Sequence, residues 1–212
     1  MSDSCCSHGC APPAAARSRR YRRVLWAALF INAAMFGVEL AGGLHAGSVS
    51  LLADAVDFFG DATNYGISLL VLGMAATWRA RAALFKGVTM GAYGTLVLGK
   101  AVWSAAAGTV PEPVTMEVIG ALALVANVSV AVMLYAWREG DANMRSVWLC
   151  SRNDAIGNLA VMAAALGVSS TGSGWPDLAV AAVMGMLGLT AARSVIAQAR
   201  SEMQTTPATA HS

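Results

Sequence analysis

Residues Leu51 to Gly73 read LLADAVDFFGDATNYGISLLVLG, a stretch apolar enough to cross a lipid bilayer that nevertheless carries Asp54, Asp57 and Asp61. The three lie at i, i+3 and i+7, and at about 100° per residue a helix gathers them into a stripe roughly 60° wide. Asn64 borders the same stripe. An ionised carboxylate in hydrocarbon costs roughly 2.5 to 3.5 kcal/mol on insertion scales, so such groups mark a site or an ion path by default. Like charges this close repel one another unless a cation sits between them, and a divalent ion supplies that cation. The expectation is a helix that helps a divalent metal ion across a membrane. Two other readings stand beside it: aspartates that only hydrogen-bond neighbouring helices, and an intramembrane aspartyl protease. The protease signature is Gly-x-Gly-Asp, and Phe58-Phe59-Gly60-Asp61 lacks its first glycine.

Composition supports a membrane setting for that helix. The 212 residues are 57% hydrophobic and only 12% charged, about half the charged fraction of an ordinary soluble domain, and mean hydropathy is +0.57. Six apolar stretches approach the roughly 20 residues that a bilayer demands: Val24 to Gly43, Leu51 to Gly73, Leu84 to Ala107, Met116 to Trp137, Val147 to Val168 and Leu178 to Val195. The strand alternation of an outer-membrane barrel is absent, so backbone satisfaction in lipid predicts helices. The expected fold is all-α, a polytopic membrane protein with six transmembrane helices.

Twelve of the 14 basic residues fall on one side of that map. Arg17 to Arg23 precede the first span, Arg79, Arg81 and Lys86 flank the second-to-third turn, Arg138 and Arg145 the fourth-to-fifth, and Arg193 and Arg200 follow the last span. The positive-inside rule then predicts that the N- and C-termini are both cytoplasmic. The first span is too long for a signal-peptide core and reads as an uncleaved anchor. A net charge of +2 argues neither for nor against nucleic acid, because in a membrane chain the placement of the basic residues is what matters, and no nucleic-acid partner is expected. The expected division is 1–21 as a disordered Cys/His tail with a basic segment, 22–196 as the transmembrane domain, and 197–212 as a short tail.

The fifth span carries a second pair of ligand-type side chains, Cys150 and Asp154, one helical turn apart. Two ligands from each of two helices, Asp57 and Asp61 with Cys150 and Asp154, make a four-coordinate set that suits Zn²⁺ or Cd²⁺. A thiolate favours such ions over Mg²⁺ or Ca²⁺; alone, Cys150 would read as an inert buried thiol. Glu39, Asp54 and Asn64 are accessory candidates for metal or proton movement, although Glu39, with Asn32 and Asn127, also reads as an interhelical hydrogen-bonding residue. Cys5, Cys6, His8 and Cys10 place four soft ligands in a flexible tail, and metal capture there stands against an incidental tail. Gly87, Gly91, Gly94 and Gly99, with Gly185 and Gly188, predict close packing and sliding of the third and sixth helices.

The run Asn32 to Ala62, NAAMFGVELAGGLHAGSVSLLADAVDFFGDA, resembles the first two spans of the cation diffusion facilitator family, with its Ser-x-Ser-Leu-Leu-Ala-Asp-Ala entry and a carboxylate pair four residues apart. Cys150 and Asp154 match that family's second half-site, and Trp175-Pro176-Asp177 is similar to its Asp-Pro-type turn. The resemblance covers most of residues 22 to 200. It implies a six-helix exporter in the cell's inner membrane that exchanges Zn²⁺, Cd²⁺ or a related ion for protons by alternating access, with Asp57, Asp61, Cys150 and Asp154 as the transport site. It implies no enzyme activity and no resident cofactor. Two departures are visible: Cys150 stands where His or Asp is usual, which tilts preference toward Cd²⁺, and the family's cytoplasmic metal-binding and dimerisation domain is missing, which leaves homodimer formation open. The rival from another class is a membrane-embedded metal-binding or thiol redox protein, without transport, that works through the N-terminal cysteines.

Overall fold

The structure, a computed structural model, describes residues 19–70, 76–137 and 142–205, with the side chains of 76–80, 137, 142–152, 202 and 205 excepted. Among the described residues there are six α-helices and no strand: α1 Arg19–Ala46, α2 Val49–Leu70, α3 Ala76–Ala107, α4 Pro113–Leu134, α5 Ala142–Thr171 and α6 Trp175–Thr205. Helix α1 begins inside the basic segment, and α6 runs beyond residue 196, so the helices overreach the apolar stretches that predicted them. At about 1.5 Å per residue, 28 to 32 residues exceed a hydrocarbon core of about 30 Å. The surplus turns carry Arg19 to Arg23 at one terminus and Arg200 at the other, where charge can meet headgroups and water.

Three helices end on glycines with left-handed backbone, at Gly47, Gly108 and Gly172 (φ 62° to 70°). After α3 the Gly108 and Thr109 N–H groups return to the carbonyls of Ala105 and Ser104, the double hydrogen bond that closes a helix C-terminus and that a Cβ at the first position would strain. These turns knit at one end of the bundle. The Glu112 N–H donates to the Ala46 carbonyl at 2.9 Å, and a Cβ on Gly174 would lie 2.3 Å from the Thr109 carbonyl oxygen. Helix α4 starts at Pro113, behind Glu112, whose carboxylate accepts from the N–H groups of Val114 (3.0 Å) and Thr115 (2.6 Å). Pro at the first helical position and an acceptor before it satisfy the open amides.

The bundle is turned inside out relative to a water-soluble protein. Trp26, Phe30, Phe85, Leu96, Val102, Trp103, Val125 and Val132 all expose most or much of their surface, more large apolar side chains than a water-facing surface ordinarily carries. Among the described residues four helical segments, Arg19–Ala46, Arg81–Ala107, Pro113–Leu134 and Trp175–Ser201, are long and apolar enough to cross a membrane. Helix α2 is long enough, at 22 residues or about 33 Å, yet carries three aspartates. It is the central helix: it touches α1, α3, α5 and α6, and its one largely exposed bulky apolar side chain is Leu70, at its end. A helix screened from lipid by its neighbours can hold carboxylates that would be costly at the surface.

Small residues set the helix spacing. A Cβ on Gly87 would come within 2.8 Å of Ile196, and one on Gly185 within 2.7 Å of Leu98, so α3 and α6 lie close along much of their length. Gly91 and Gly94 face α6 as well. Gly99 and Gly188, where close packing was also expected, have nothing within 4 Å. The shortest such distance among the described glycines is elsewhere: a Cβ on Gly42 of α1 would lie 1.9 Å from Cδ1 of Ile119, the end of a side chain on α4.

Candidate functional site

The aspartate stripe of α2 is present, but it serves two neighbourhoods. Asp54 and Asp61 are seven residues apart, about 10 Å along the axis, and over that distance the crossing helices change. Asp54 faces α1, where its carboxyl lies within hydrogen-bonding reach of Glu39. Both are buried, at 1% and 0% exposure, and none of their four oxygens meets a donor among the described residues. Two carboxylates are acceptors only, so such a pair needs a shared proton or a cation between them. Asp57, one turn on and half-buried, lies within electrostatic range of Glu39.

Asp61, on the same face of α2, meets different neighbours. It is 8% exposed, and its carboxyl lies within hydrogen-bonding reach of Asp154 on α5. The Tyr65 hydroxyl, one turn along α2, donates to Asp61 Oδ2 at 3.2 Å. The Lys86 ammonium of α3 acts on the same carboxyl through its charge and hydrogen-bonds Asn64 Oδ1. The fold therefore brings together Asp61 from α2 and Asp154 from α5, the two helices on which the paired ligands were expected. Asp57 is on the same helix, one turn toward Glu39.

The Cys150 side chain and the tail residues Cys5, Cys6, His8 and Cys10 lie outside the described residues, as does Arg152. Among those that are described, no group of three or more His, Cys, Asp or Glu side chains could hold a metal ion together. Among the described residues, α2 and α5 meet at Asp61 and Asp154, and again near the bundle end, where Leu51 shares a core with Val161, Ala164 and Ala165.

Three features of the site were not legible in the residue pattern. Lys86, grouped by charge with the flank of the third span, is 2% exposed and inside the bundle. Its position ten residues past the start of α3 is a signal that charge counting conceals. Asn158, one turn after Asp154 on α5, is fully buried, and neither polar atom of its side chain has a partner among the described residues. Asp177 of α6 is bound to Ser48 and Ser50, which joins the Ser-x-Ser entry of α2 to the Trp-Pro-Asp turn of α6. Asn32, in contrast, returns to its own helix, donating to the Ala28 carbonyl at 2.8 Å.

The family profile described as "Cation efflux transmembrane domain" matches residues 25–203. Among characterised proteins, the chain is similar to the metal cation efflux system protein CzcD of Cupriavidus metallidurans, 24% identical over 176 residues, covering 77% of this chain and 56% of that protein. The cation efflux system protein CzcD of Alcaligenes sp. strain CT14 matches with the same identity and coverage. The chain thus spans little more than half the length of these relatives.

Proposed function

Because this chain belongs to the cation efflux family, a family of membrane transporters, we propose that it carries a divalent metal cation of the Zn²⁺ or Cd²⁺ type out of the cytoplasm in exchange for protons. The observation that carries the reading is the approach of Asp61 on α2 to Asp154 on α5. Two carboxylates from different helices, screened from lipid, form a place whose charge a divalent ion can balance. Asp57 and Cys150, each one turn from a member of that pair, complete a four-ligand set on closure of α2 against α5. A set of three oxygens and one sulfur suits Zn²⁺ and Cd²⁺ better than Mg²⁺ or Ca²⁺.

In this reading all six helices cross the inner membrane and both termini are cytoplasmic, as the placement of the arginines favours. The cytoplasmic face is then the end where α1 begins and α6 finishes. Metal entering there displaces protons from the ligands, the loaded bundle reopens at the Gly47, Gly108 and Gly172 end, and protons arriving from outside expel the ion. The metal is cargo in this scheme, and the protein needs no resident cofactor.

Transport by the purified chain in liposomes tests the proposal. Zn²⁺ or Cd²⁺ uptake should be accompanied by proton movement in the opposite direction, and Asp61→Asn and Asp154→Asn should each abolish it while the protein stays monodisperse in detergent. Metal flux that persists in both variants would remove the site; flux with no counter-movement of protons would remove the exchange.

A further inference from the structure

Helix α3 carries a lysine to the acidic site. Lys86 is 2% exposed, so its ammonium does not snorkel to either membrane surface. Burying an ammonium is costly unless it is paired, and two of the groups that meet it are on α2: the Asn64 side-chain oxygen, to which Nζ donates, and the Asp61 carboxylate, which its charge reaches. Asn64 follows Asp61 by three residues, nearly one turn, on the side of Leu70. One ammonium is therefore held on Asn64, within electrostatic range of Asp61 and toward the end of the bundle where α1 begins. The backbone behind it has little freedom, because Gly87 approaches α6 so closely that a Cβ would lie 2.8 Å from Ile196. The side chain is left as the part that can move.

We propose that Lys86 is a tethered competitor for the transported cation: its ammonium and an incoming divalent ion contend for the Asp61 carboxylate. The inference rests on Asp61 and Asp154 being ligands of that ion. Ion entry then requires Lys86 to leave Asp61, and its return helps release the ion. Competition also sorts ions by charge. A monovalent ion offers Asp61 no more charge than the ammonium already beside it, and the tether gives the ammonium a large effective concentration. A divalent ion brings twice the charge and wins through its Coulomb attraction to the two carboxylates.

The test measures Cd²⁺ affinity of the full chain in detergent by competition with a metallochromic chelator. Lys86→Gln keeps a hydrogen-bond donor for Asn64 and removes the charge; Lys86→Met removes both. Each should bind Cd²⁺ at least about tenfold tighter than wild type, since a neighbouring positive charge has gone, and each should transport more slowly in liposomes. Lys86→Arg should stay within about threefold. A merely structural role would weaken binding, so unchanged or weaker affinity in the folded variants overturns the proposal. A second readout uses the wild-type protein, in which Lys86 and Lys100 are the only lysines. Cd²⁺ should speed reductive methylation of Lys86 relative to Lys100 several-fold, as seen by mass spectrometry, and no change would overturn the proposal even if the variants failed to fold. Asp61→Asn and Asp154→Asn separate the two ideas. If they keep wild-type Cd²⁺ affinity, the site itself is wrong; if they lose it and Lys86 proves indifferent, only the competitor falls.

Discussion

Ser50 and Asp177, 127 residues apart in the chain, are joined twice: the Ser50 N–H and hydroxyl both donate to Asp177 Oδ1, at 3.0 and 2.6 Å. The Ser48 hydroxyl reaches the same oxygen at 2.7 Å, and the Val49 N–H donates to Oδ2 at 2.8 Å. Ser48 in turn accepts from the Leu51 N–H at 3.2 Å, as an N-cap serine does. One carboxylate on α6 thus satisfies the open amides at the start of α2 and pins that end of the central helix.

Asp177→Ala should accordingly destabilise the folded chain by about 3 kcal/mol or more, because it strands several buried donors at once. Asp177→Asn should cost less, since an amide oxygen can still accept. Thermal unfolding in detergent of the three proteins orders them, and an alanine variant as stable as wild type would contradict this account of the α2 terminus.

Gly42 faces Ile119 across the α1–α4 contact with no room for a methyl group. Gly42→Ala should destabilise by about 1 to 3 kcal/mol through overpacking. The double variant with Ile119→Ala should recover part of that loss, because the offending atom is the far end of the isoleucine. A double variant no better than the sum of the singles would place the strain elsewhere.

Cys150→His should retain Zn²⁺ transport and lose preference for Cd²⁺, because imidazole nitrogen is a harder ligand than thiolate. Competitive flux assays with both ions in liposomes report the ratio directly. An unchanged ratio would exclude the thiolate from the transport site.

Hydrogen bonds from Thr115, with the Val114 N–H adding to them, hold the Glu112 carboxyl below its usual range. A carboxyl depressed in the folded state stabilises it above the ordinary carboxylate range, and the benefit is lost as pH falls through the lowered value. Wild type should therefore exceed Glu112→Gln in melting temperature near neutral pH, with the difference shrinking on acidification below about pH 4. A gap that stays constant from pH 7 to pH 3 would mean that the charge on this cap is immaterial.

Much of the architecture is legible without coordinates. Apolar stretches near 20 residues locate all six helices, because length and hydropathy are local properties that lipid reads directly. Their ends are less legible: arginines at 19–23 and polar residues after 196 continue the helices, since backbone hydrogen bonding does not stop where hydrocarbon does. The acidic residues of α2 stand out for the same local reason, as charge where charge is expensive.

Which of those residues meet is a matter of tertiary structure. Helical periodicity puts Asp54, Asp57 and Asp61 on one face but is silent on which neighbour crosses that face at each height. The crossing of α1 gives Asp54 to Glu39, and the approach of α5 gives Asp61 to Asp154. Lys86 shows the same limit in reverse, since a basic residue near a span end counts as a flank until the packing of α3 against α6 carries it inward. The Ser50–Asp177 clasp links residues too far apart in the chain for any local pattern to pair. Sequence by itself determined that this chain forms membrane helices and that ionisable groups sit inside them, because those are costs borne residue by residue. Only the folded bundle decided which charges share a place, because proximity between helices depends on crossing angles set by side-chain shape, above all the glycines that let backbones touch.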